Sequence, residues 1–384
     1  RYTNQLFMSQ LSAEECGVFQ EKLFKFRGFY IQRRTIRQYS YDAAAHALGD
    51  IGEVSAKEME ADEEGYYIRG DYVGKLGVEK SYEKYLRGEK GIEILLRDAH
   101  GRIQGHYMDG EYDRPSVPGK NLTLSLDIDL QMLGERLLKN KIGSIVAIEP
   151  ETGEILCLVS SPNYDPHLMI GRQRGKNHLM LQRDKMKPLL NRALMGVYPP
   201  GSTFKTITAT AGLNEGIVAG SSTYFCGHSY EYKGHTYYCT GSHGNISVVQ
   251  ALQYSCNIYF YQLSEALTID NLTKYAELYG LGSPTGIETG DAAGRFANPE
   301  TYAEYGWEWT VGHVLQAAIG QSETAVTPLQ MAVVASTIAN KGVRYQPHLV
   351  DSLWDYNLTE KIKDIEPTVA ETIPIQHDDV YTYI

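Results

Sequence analysis

The sequence predicts an α+β protein in which helices pack against an antiparallel sheet. Two apolar, strand-like runs, GSIVAIE and EILCLVSS, are separated by the short turn PETG at 150–153. So short a connection joins only antiparallel neighbours. The same half of the chain contains stretches with helical spacing of apolar residues, at 203–214, 246–266, 269–279 and 327–341. A sheet with helices packed on it follows from this mixture.

Length and composition indicate two domains. The chain has 384 residues, a length that exceeds what one hydrophobic core usually serves. Its hydrophobic fraction of 42% is enough for a sizeable core in at least one domain. Residues 108–121 (MDGEYDRPSVPGKN) gather Gly, Pro and Asp without apolar periodicity, which is typical of a linker. We therefore place a boundary near residue 120, with one domain over 1–120 and a second over 121–384.

Local signals predict how each domain begins. In the first, Ser12 and Glu15 have the spacing of a helix capping box. The second opens with the alternating run NLTLSLDI at 121–128, which predicts a strand, and the following DLQMLGERLLKNK has helical spacing.

Charge and hydropathy exclude some functions. The formal net charge of -11 argues against nucleic acid as a partner. No run of about 18 apolar residues predicts a membrane span, and the N-terminal residues lack the layout of a signal peptide. The sequence starts in mid-pattern, without an initiator Met, so we expect that an upstream segment has been removed.

A Ser-x-x-Lys pattern occurs twice, as Ser81/Lys84 and as Ser202/Lys205. Ser81 lies in a charged segment that is typical of a solvated surface. Ser202 follows Tyr-Pro-Pro-Gly (198–201) and precedes a helical stretch, so we expect it at a helix N-terminus. The alternative interpretation is a helix-capping serine with a surface lysine.

The second pair has the chemistry of a nucleophile and its base. A helix N-terminus stabilises negative charge on Ser202 or on an attacked carbonyl oxygen. Residues three apart share a helix face, which brings the Lys205 amine within reach of the Ser202 hydroxyl. A lysine kept neutral by burial can accept the serine proton. A Ser-x-Asn triplet follows at Ser255-Cys256-Asn257, on an expected second helix, although the same triplet also occurs at 161–163.

These motifs resemble those of class B penicillin-binding proteins. The blocks that carry the resemblance occur in the order of that family: TLSLDIDLQ, VAIEPETGEILCLVSSPNYDP, NRALMGVYPPGSTFK, QYSCNIYFYQL, YGLGSPTGIE and GQSETAVTPLQMA. In the first half, HALGDIGEVS and GDYVGKLGVEKSYEKYLRGEKG resemble the family's elongated non-catalytic pedestal domain. The run Gly-Val-Glu-Lys at 77–80 is closer to elongation-type members than to division-type ones.

The resemblance implies a penicillin-binding-protein/β-lactamase-like fold and a peptidoglycan D,D-transpeptidase that needs no cofactor. Ser202 would attack the D-Ala-D-Ala carbonyl of a stem peptide, and β-lactams would acylate the same serine. Lys205 would be the base, Ser255 would relay the proton and Asn257 would bind the donor amide. The family's third motif, Lys-Thr/Ser-Gly, is absent from the sequence, so we expect that a C-terminal portion is missing.

The resemblance also implies a location and partners. The location is the periplasmic face of the cytoplasmic membrane, where an N-terminal anchor outside this sequence would hold the protein. The partners are a membrane glycan polymerase and other elongation-complex proteins. Two further hypotheses remain: a non-catalytic scaffold that activates cell-wall proteins, and a β-lactam hydrolase of related fold. The pedestal-like first half argues against the hydrolase.

A possible structural zinc site lies between the two motifs. Its members, Cys226, Cys239, His243 and Cys256, are separated by 12, 3 and 12 residues, and three thiols with an imidazole suit tetrahedral zinc. His228 or His235 are possible substitutes for one ligand. The alternatives are a Cys226–Cys239 disulfide or buried free thiols.

Overall fold

The computed structural model describes residues 7–8, 11–32, 36–100 and 102–384. The helices are α1 (Ala13–Lys22), α2 (Ala45–Leu48), α3 (Ala56–Glu60), α4 (Gly77–Ser81), α5 (Glu83–Leu86), α6 (Ile128–Leu137), α7 (Arg174–Arg183), α8 (Lys205–Asn214), α9 (Val248–Gln253), α10 (Asn257–Leu278), α11 (Pro299–Glu304), α12 (Gly312–Ala317) and α13 (Pro328–Ala339).

The strands are β1 (Ile51–Glu53), β2 (Tyr72–Gly74), β3 (Leu95–Arg97), β4 (Ile103–His106), β5 (Asn121–Leu124), β6 (Gly143–Ile148), β7 (Ile155–Ser161), β8 (Thr223–Cys226), β9 (Ser229–Tyr232), β10 (His235–Tyr238), β11 (Gly244–Ser247), β12 (Val343–Tyr345), β13 (Val350–Trp354), β14 (Lys361–Asp364) and β15 (Val369–Thr372). Among the described residues, no helix is both long and apolar enough to cross a membrane.

The chain divides into two compact units, each built from several segments. Unit 1 comprises residues 1–124, 163–189 and 350–365. Unit 2 comprises residues 125–162, 190–349 and 366–384.

Unit 1 is built on short antiparallel strand pairings. Strand β13 lies between β14 and β5, while β1 pairs with β2 and β3 with β4. The predicted capping box is confirmed, because the Ser12 hydroxyl accepts a hydrogen bond from the Glu15 N–H and the Glu15 carboxylate accepts one from the Ser12 N–H, each at 3.0 Å.

The strand predicted over 121–128 is shorter in the structure. Strand β5 ends at Leu124 because Asp127 already caps helix α6, its carboxylate accepting a hydrogen bond from the Leu130 N–H at 2.9 Å. The helix predicted to follow is confirmed as α6.

Unit 2 contains the predicted hairpin. Strands β6 and β7 pair antiparallel around the turn, from Gly143 opposite Ser161 to Ile148 opposite Ile155. Helix α6 packs on β7 at Gly134, where a Cβ atom would lie only 2.8 Å from the Val159 side chain. A glycine is required at this approach because no larger residue fits.

Helix α8 is the centre of unit 2 and is almost entirely buried. It packs against α10, where Gly212 meets the Leu263 side chain so closely that a Cβ would lie 2.8 Å from it. The Thr208 hydroxyl donates a hydrogen bond to the Ala318 carbonyl at 2.7 Å, which ties α8 to the end of α12. These contacts hold the N-terminus of α8 in a fixed position.

The predicted helix over 246–266 is interrupted. Helix α9 ends at Gln253 and α10 begins at Asn257, because Ser255 adopts a left-handed φ of 51° and the Cys256 thiol caps α10. Helix α10 also has a break at Thr268, with a φ of 67°. The predicted helix over 269–279 is the part of α10 that follows this break, and the other two are observed as α8, after a 3-10 turn over 201–204, and as α13.

Candidate active site

The Ser202 side chain lies where the sequence predicts it, in the tight turn that leads into α8. Pro200 precedes a 3-10 turn over Gly201–Phe204, and the α-helix continues from Lys205. The Ser202 hydroxyl is exposed and makes no hydrogen bond with any residue that the structure describes. It is therefore open to an incoming substrate.

Gly320 fixes the turn that carries Ser202. Its carbonyl accepts a hydrogen bond from the Gly201 N–H at 2.9 Å. Gly320 has a φ of 68°, and a Cβ on it would lie 2.4 Å from the Gly201 carbonyl oxygen. Only glycine combines this conformation with so close an approach.

Lys205 lies one helical turn after Ser202, and only 1% of its surface is exposed. Its Nζ lies 2.8 Å from the Ser255 carbonyl oxygen, 3.1 Å from Ser255 Oγ and 2.7 Å from Asn257 Oδ1. The amine also lies 5.7 Å from the centre of the Phe260 ring. The structure thus brings together three of the four site residues that the sequence predicts.

Burial lowers the pKa of Lys205 to about 8, even though the thiols of Cys239 and Cys256 favour its charged form. A lysine with that pKa is partly neutral near physiological pH and can accept a proton. Among the described residues, the Lys205 amine makes no hydrogen bond with the Ser202 hydroxyl, because its bonds go to Ser255 and Asn257.

The Ser-x-Asn triplet spans the break between α9 and α10 and does not lie within one helix. The left-handed turn at Ser255 presents both its carbonyl and its hydroxyl to Lys205, and Asn257 is the first residue of α10. The Asn257 side chain also donates a weak hydrogen bond, at 3.4 Å, to the Tyr238 carbonyl, which orients its oxygen toward the lysine.

Beside this triplet, Cys226, Cys239, His243 and Cys256 place their ligand atoms within 4.8 Å of one another. His243 Nδ1 lies 3.4 Å from the Cys226 sulfur and 3.7 Å from that of Cys239, and the sulfurs of Cys239 and Cys256 are 3.7 Å apart. All of these cysteines are free thiols, so the structure does not contain the alternative Cys226–Cys239 disulfide. The possible substitutes His228 and His235 are outside the cluster.

Backbone donors support negative charge on the cluster. Burial opposes ionisation of Cys239, but the N–H groups of Gly241, Ile258 and Asn257 together bring the pKa of its thiol down to about 6. Burial raises the pKa of the Cys256 thiol, which lies beside it. The Cys239 thiol therefore ionises readily. A cation bound among the sulfurs would favour ionisation of the other thiols as well.

Comparison with known proteins places this geometry in a family. Residues 143–381 match the penicillin binding protein transpeptidase domain, and residues 1–124 match the penicillin-binding protein dimerisation domain. The chain belongs to the penicillin-binding proteins. The predicted fold class, a transpeptidase fold preceded by a pedestal domain, is confirmed for this penicillin-binding protein.

The relatives include peptidoglycan D,D-transpeptidases and penicillin-binding proteins of solved structure. The chain is 36% identical over 354 residues to the peptidoglycan D,D-transpeptidase MrdA of Acinetobacter baumannii, covering 88% of this chain and 51% of that protein. The structure of penicillin-binding protein 2 from Helicobacter pylori in complex with MreC is 28% identical, with a TM-score of 0.81, covering 92% of this chain and 68% of that one. The predicted resemblance to class B penicillin-binding proteins is confirmed.

A third match is an acylated relative. Penicillin-binding protein A of Mycobacterium tuberculosis, in its penicillin G acyl-enzyme complex, is 30% identical, with a TM-score of 0.59, and the match covers 66% of this chain and 60% of that one. The penicillin-binding protein described here spans about half the length of the curated relatives that it matches.

Three residues of this penicillin-binding protein's site were not singled out from the sequence. Gly320 lies within the block GQSETAVTPLQMA, which was available only as part of the family resemblance. Tyr238 and Phe260 contact the motif residues through the fold, and no spacing signal points to them.

Proposed function

We propose that the protein is a peptidoglycan D,D-transpeptidase that cross-links stem peptides during cell elongation through an acyl-enzyme on Ser202. The observation that carries the proposal is the buried amine of Lys205, held by Ser255 and Asn257 one helical turn after an exposed serine. This set contains a nucleophile, a base with a lowered pKa and a hydroxyl for proton transfer.

Acylation begins when the Ser202 oxygen attacks the carbonyl carbon of the penultimate D-Ala of the donor. The serine proton passes to neutral Lys205, and the oxygen of the tetrahedral intermediate is stabilised by the Ser202 N–H at the start of the helical turn. The C–N bond to the terminal D-Ala then breaks. Its nitrogen takes the proton from Lys205 by way of the Ser255 hydroxyl, which lies 3.1 Å from Nζ.

Transfer completes the cycle. The amine of a neighbouring stem peptide attacks the ester carbon of the acyl-enzyme and gives up a proton to Lys205. The ester C–O bond breaks, and the leaving oxygen of Ser202 takes the proton from Lys205, which is neutral again. Asn257 accepts a hydrogen bond from Lys205 through its side-chain oxygen and binds the donor amide. Each step uses only groups of the protein and its substrates, so the chemistry needs no cofactor, and β-lactams acylate Ser202 by the first step.

The cysteine–histidine cluster is proposed as a structural zinc site. Tetrahedral zinc with sulfur bonds of about 2.3 Å and nitrogen bonds of about 2.0 Å separates its ligands by about 3.5–3.8 Å. Three of the six separations between ligand atoms in the structure, from 3.4 to 3.7 Å, agree with that geometry, and all six are within 4.8 Å. Cys256 stands between Ser255 and Asn257, and the Cys239 sulfur accepts a hydrogen bond from the Asn257 N–H at 3.3 Å. Zinc would therefore fix the triplet that holds Lys205.

Domain organisation, location and partners follow the family. Residues 1–120 form a non-catalytic pedestal and residues 121–384 belong to the transpeptidase domain, supported by the dimerisation match over 1–124 and the transpeptidase match over 143–381. The protein acts at the periplasmic face of the cytoplasmic membrane on stem peptides. Its partners are a membrane glycan polymerase and elongation-complex proteins, a proposal that the complex of the H. pylori relative with MreC supports.

Fluorescent penicillin tests the proposed activity on the full-length protein. Stable labelling is expected in the wild type and lost in Ser202→Ala. The matched control is Ser81→Ala, since Ser81 heads the other Ser-x-x-Lys pattern and donates its hydroxyl hydrogen bond to Gly77 within α4. Rapid turnover of the label would indicate a β-lactam hydrolase, and absence of labelling would indicate a non-catalytic scaffold.

A further inference from the structure

A cluster of aromatic rings lies in unit 2 between helices α11 and α12. Tyr302 is at its centre, and its ring centroid is 5.6 Å from that of Trp307, 5.0 Å from that of Trp309 and 4.9 Å from that of His313. Tyr305 stacks on Trp307 at 4.7 Å, with an angle of 16° between the ring planes. The cluster has a buried centre and an exposed side.

The exposed side is a pair of parallel rings. Tyr305 is 52% exposed and Trp307 is 39% exposed. The Arg295 guanidinium lies 5.7 Å from the centre of each ring. Adjacent exposed aromatic side chains offer a flat apolar surface with polar edges, which suits them to bind a ligand. We call Tyr305, Trp307 and Arg295 the aromatic platform.

The platform is held rigidly from below. Tyr302 is only 4% exposed, and its hydroxyl lies 2.5 Å from the Ser322 hydroxyl. The backbone N–H of Trp307 donates a hydrogen bond to the Tyr302 carbonyl at 2.8 Å. Arg295 donates from Nε to the Glu323 carbonyl, also at 2.8 Å. A platform fixed in this way binds without the cost of ordering it.

The same segment anchors the platform and the nucleophile. Ser322 and Glu323 follow closely after Gly320, whose carbonyl accepts the hydrogen bond from the Gly201 N–H at 2.9 Å. Gly201 directly precedes Ser202. The rings are therefore connected to the nucleophile's turn by one short stretch of backbone within unit 2.

We propose that the aromatic platform binds a sugar ring of the glycan strand to which the donor or acceptor stem peptide is attached, an inference that rests on the proposed function. A pyranose ring offers a face of C–H bonds to an aromatic ring, and its hydroxyl and acetamido groups accept hydrogen bonds from a guanidinium. A fully extended peptide of five residues spans only about 17 Å, so the glycan must lie near the nucleophile when its peptide reacts.

The test uses a peptide-free oligosaccharide, tetra-N-acetylchitotetraose, titrated into the full-length protein by isothermal calorimetry. Saturable binding is expected in the wild type and in Tyr305→Phe, which keeps the ring. Tyr305→Ala should weaken binding by roughly tenfold, as expected for loss of one stacking contact, and Trp307→Ala should also weaken it because the Tyr305 ring stacks on Trp307. The matched control is Tyr356→Ala, because Tyr356 is 62% exposed but lies in unit 1.

Penicillin labelling and thermal unfolding of the same variants separate the possible results. Labelling of Ser202 without saturable oligosaccharide binding by the wild type would overturn the platform while leaving the transpeptidase proposal intact. Wild-type affinity in Tyr305→Ala and Trp307→Ala would also overturn it. Oligosaccharide binding that depends on the rings, in a protein that penicillin does not label, would instead contradict the transpeptidase proposal.

Discussion

The amine nitrogen of Lys205 lies 2.7 Å from the side-chain oxygen of Asn257, although 52 positions separate the two residues in the chain. Together with the two oxygens of Ser255, this contact gives each of the three N–H bonds of a charged lysine an acceptor. Burial acts in the opposite direction and lowers the pKa to about 8. The three acceptors thus hold the charged amine in place, whereas burial favours the neutral form that can accept a proton.

Replacement of Lys205 by Ala should slow acylation by penicillin by roughly 10²–10⁴-fold, because the serine loses its base. The second-order rate constant for labelling of the full-length protein measures this effect. Lys84→Ala is the matched control, since Lys84 occupies the same place in the other Ser-x-x-Lys pattern and is paired with Glu64 on the surface. Equal rates for Lys205→Ala and the wild type would contradict the assignment of the base.

The rate of acylation should rise with pH, reach half its maximum near pH 8 and level off about one pH unit higher. Neutral Lys205 is the reactive form, and its amine loses a proton as the pH passes through its pKa of about 8. An unperturbed lysine would instead place this rise near pH 10.4. Labelling rates measured between pH 6 and about 10.5 distinguish the two midpoints.

Asn257→Asp should move that profile to higher pH. The new carboxylate would take the place of Oδ1, 2.7 Å from the Lys205 nitrogen, and an opposite charge at this distance favours the protonated amine. Labelling near pH 7 should fall and recover in alkaline solution, whereas Asn257→Ala should stay slow throughout. An unshifted profile in Asn257→Asp would show that Lys205 does not set the pH dependence.

Gly320→Ala should destabilise the protein and slow acylation. The added methyl group would meet the Gly201 carbonyl at 2.4 Å and push on the turn that carries Ser202. Gly282→Ala is the control, since Gly282 has a φ of 84° with nothing within 4 Å of a Cβ, so that it carries only the backbone cost of about 1–2 kcal/mol. Gly320→Ala should lower the unfolding temperature and the rate of penicillin labelling more than Gly282→Ala does.

The cysteine–histidine cluster should hold roughly one equivalent of zinc in protein purified without chelators. Cys239→Ser and Cys256→Ser should lose the metal and slow acylation, because both residues contact Asn257 or adjoin it. Cys16 lies outside the cluster, so Cys16→Ser should keep the bound zinc and the wild-type rate of acylation. Elemental analysis without zinc, or alkylation mapping that finds a Cys226–Cys239 disulfide, would contradict the site.

Local patterns predicted much of the fold. The capping box at Ser12, the hairpin around 150–153 and helix α13 depend on neighbouring residues, and each is observed. The interruption before Asn257 was not predicted, because the apolar spacing continues across it while the left-handed turn at Ser255 depends on packing. The contacts of Gly320 and Tyr238 join distant parts of the chain, so no local pattern reveals them.

The claim that Ser202 is the acylated nucleophile is tested most directly by mass spectrometry of the full-length protein after incubation with penicillin G. Peptide mapping should locate one covalent adduct on the peptide that contains Ser202, and the adduct should be absent from Ser202→Ala. An adduct on another serine, or one that persists in Ser202→Ala, would contradict this account of the active site.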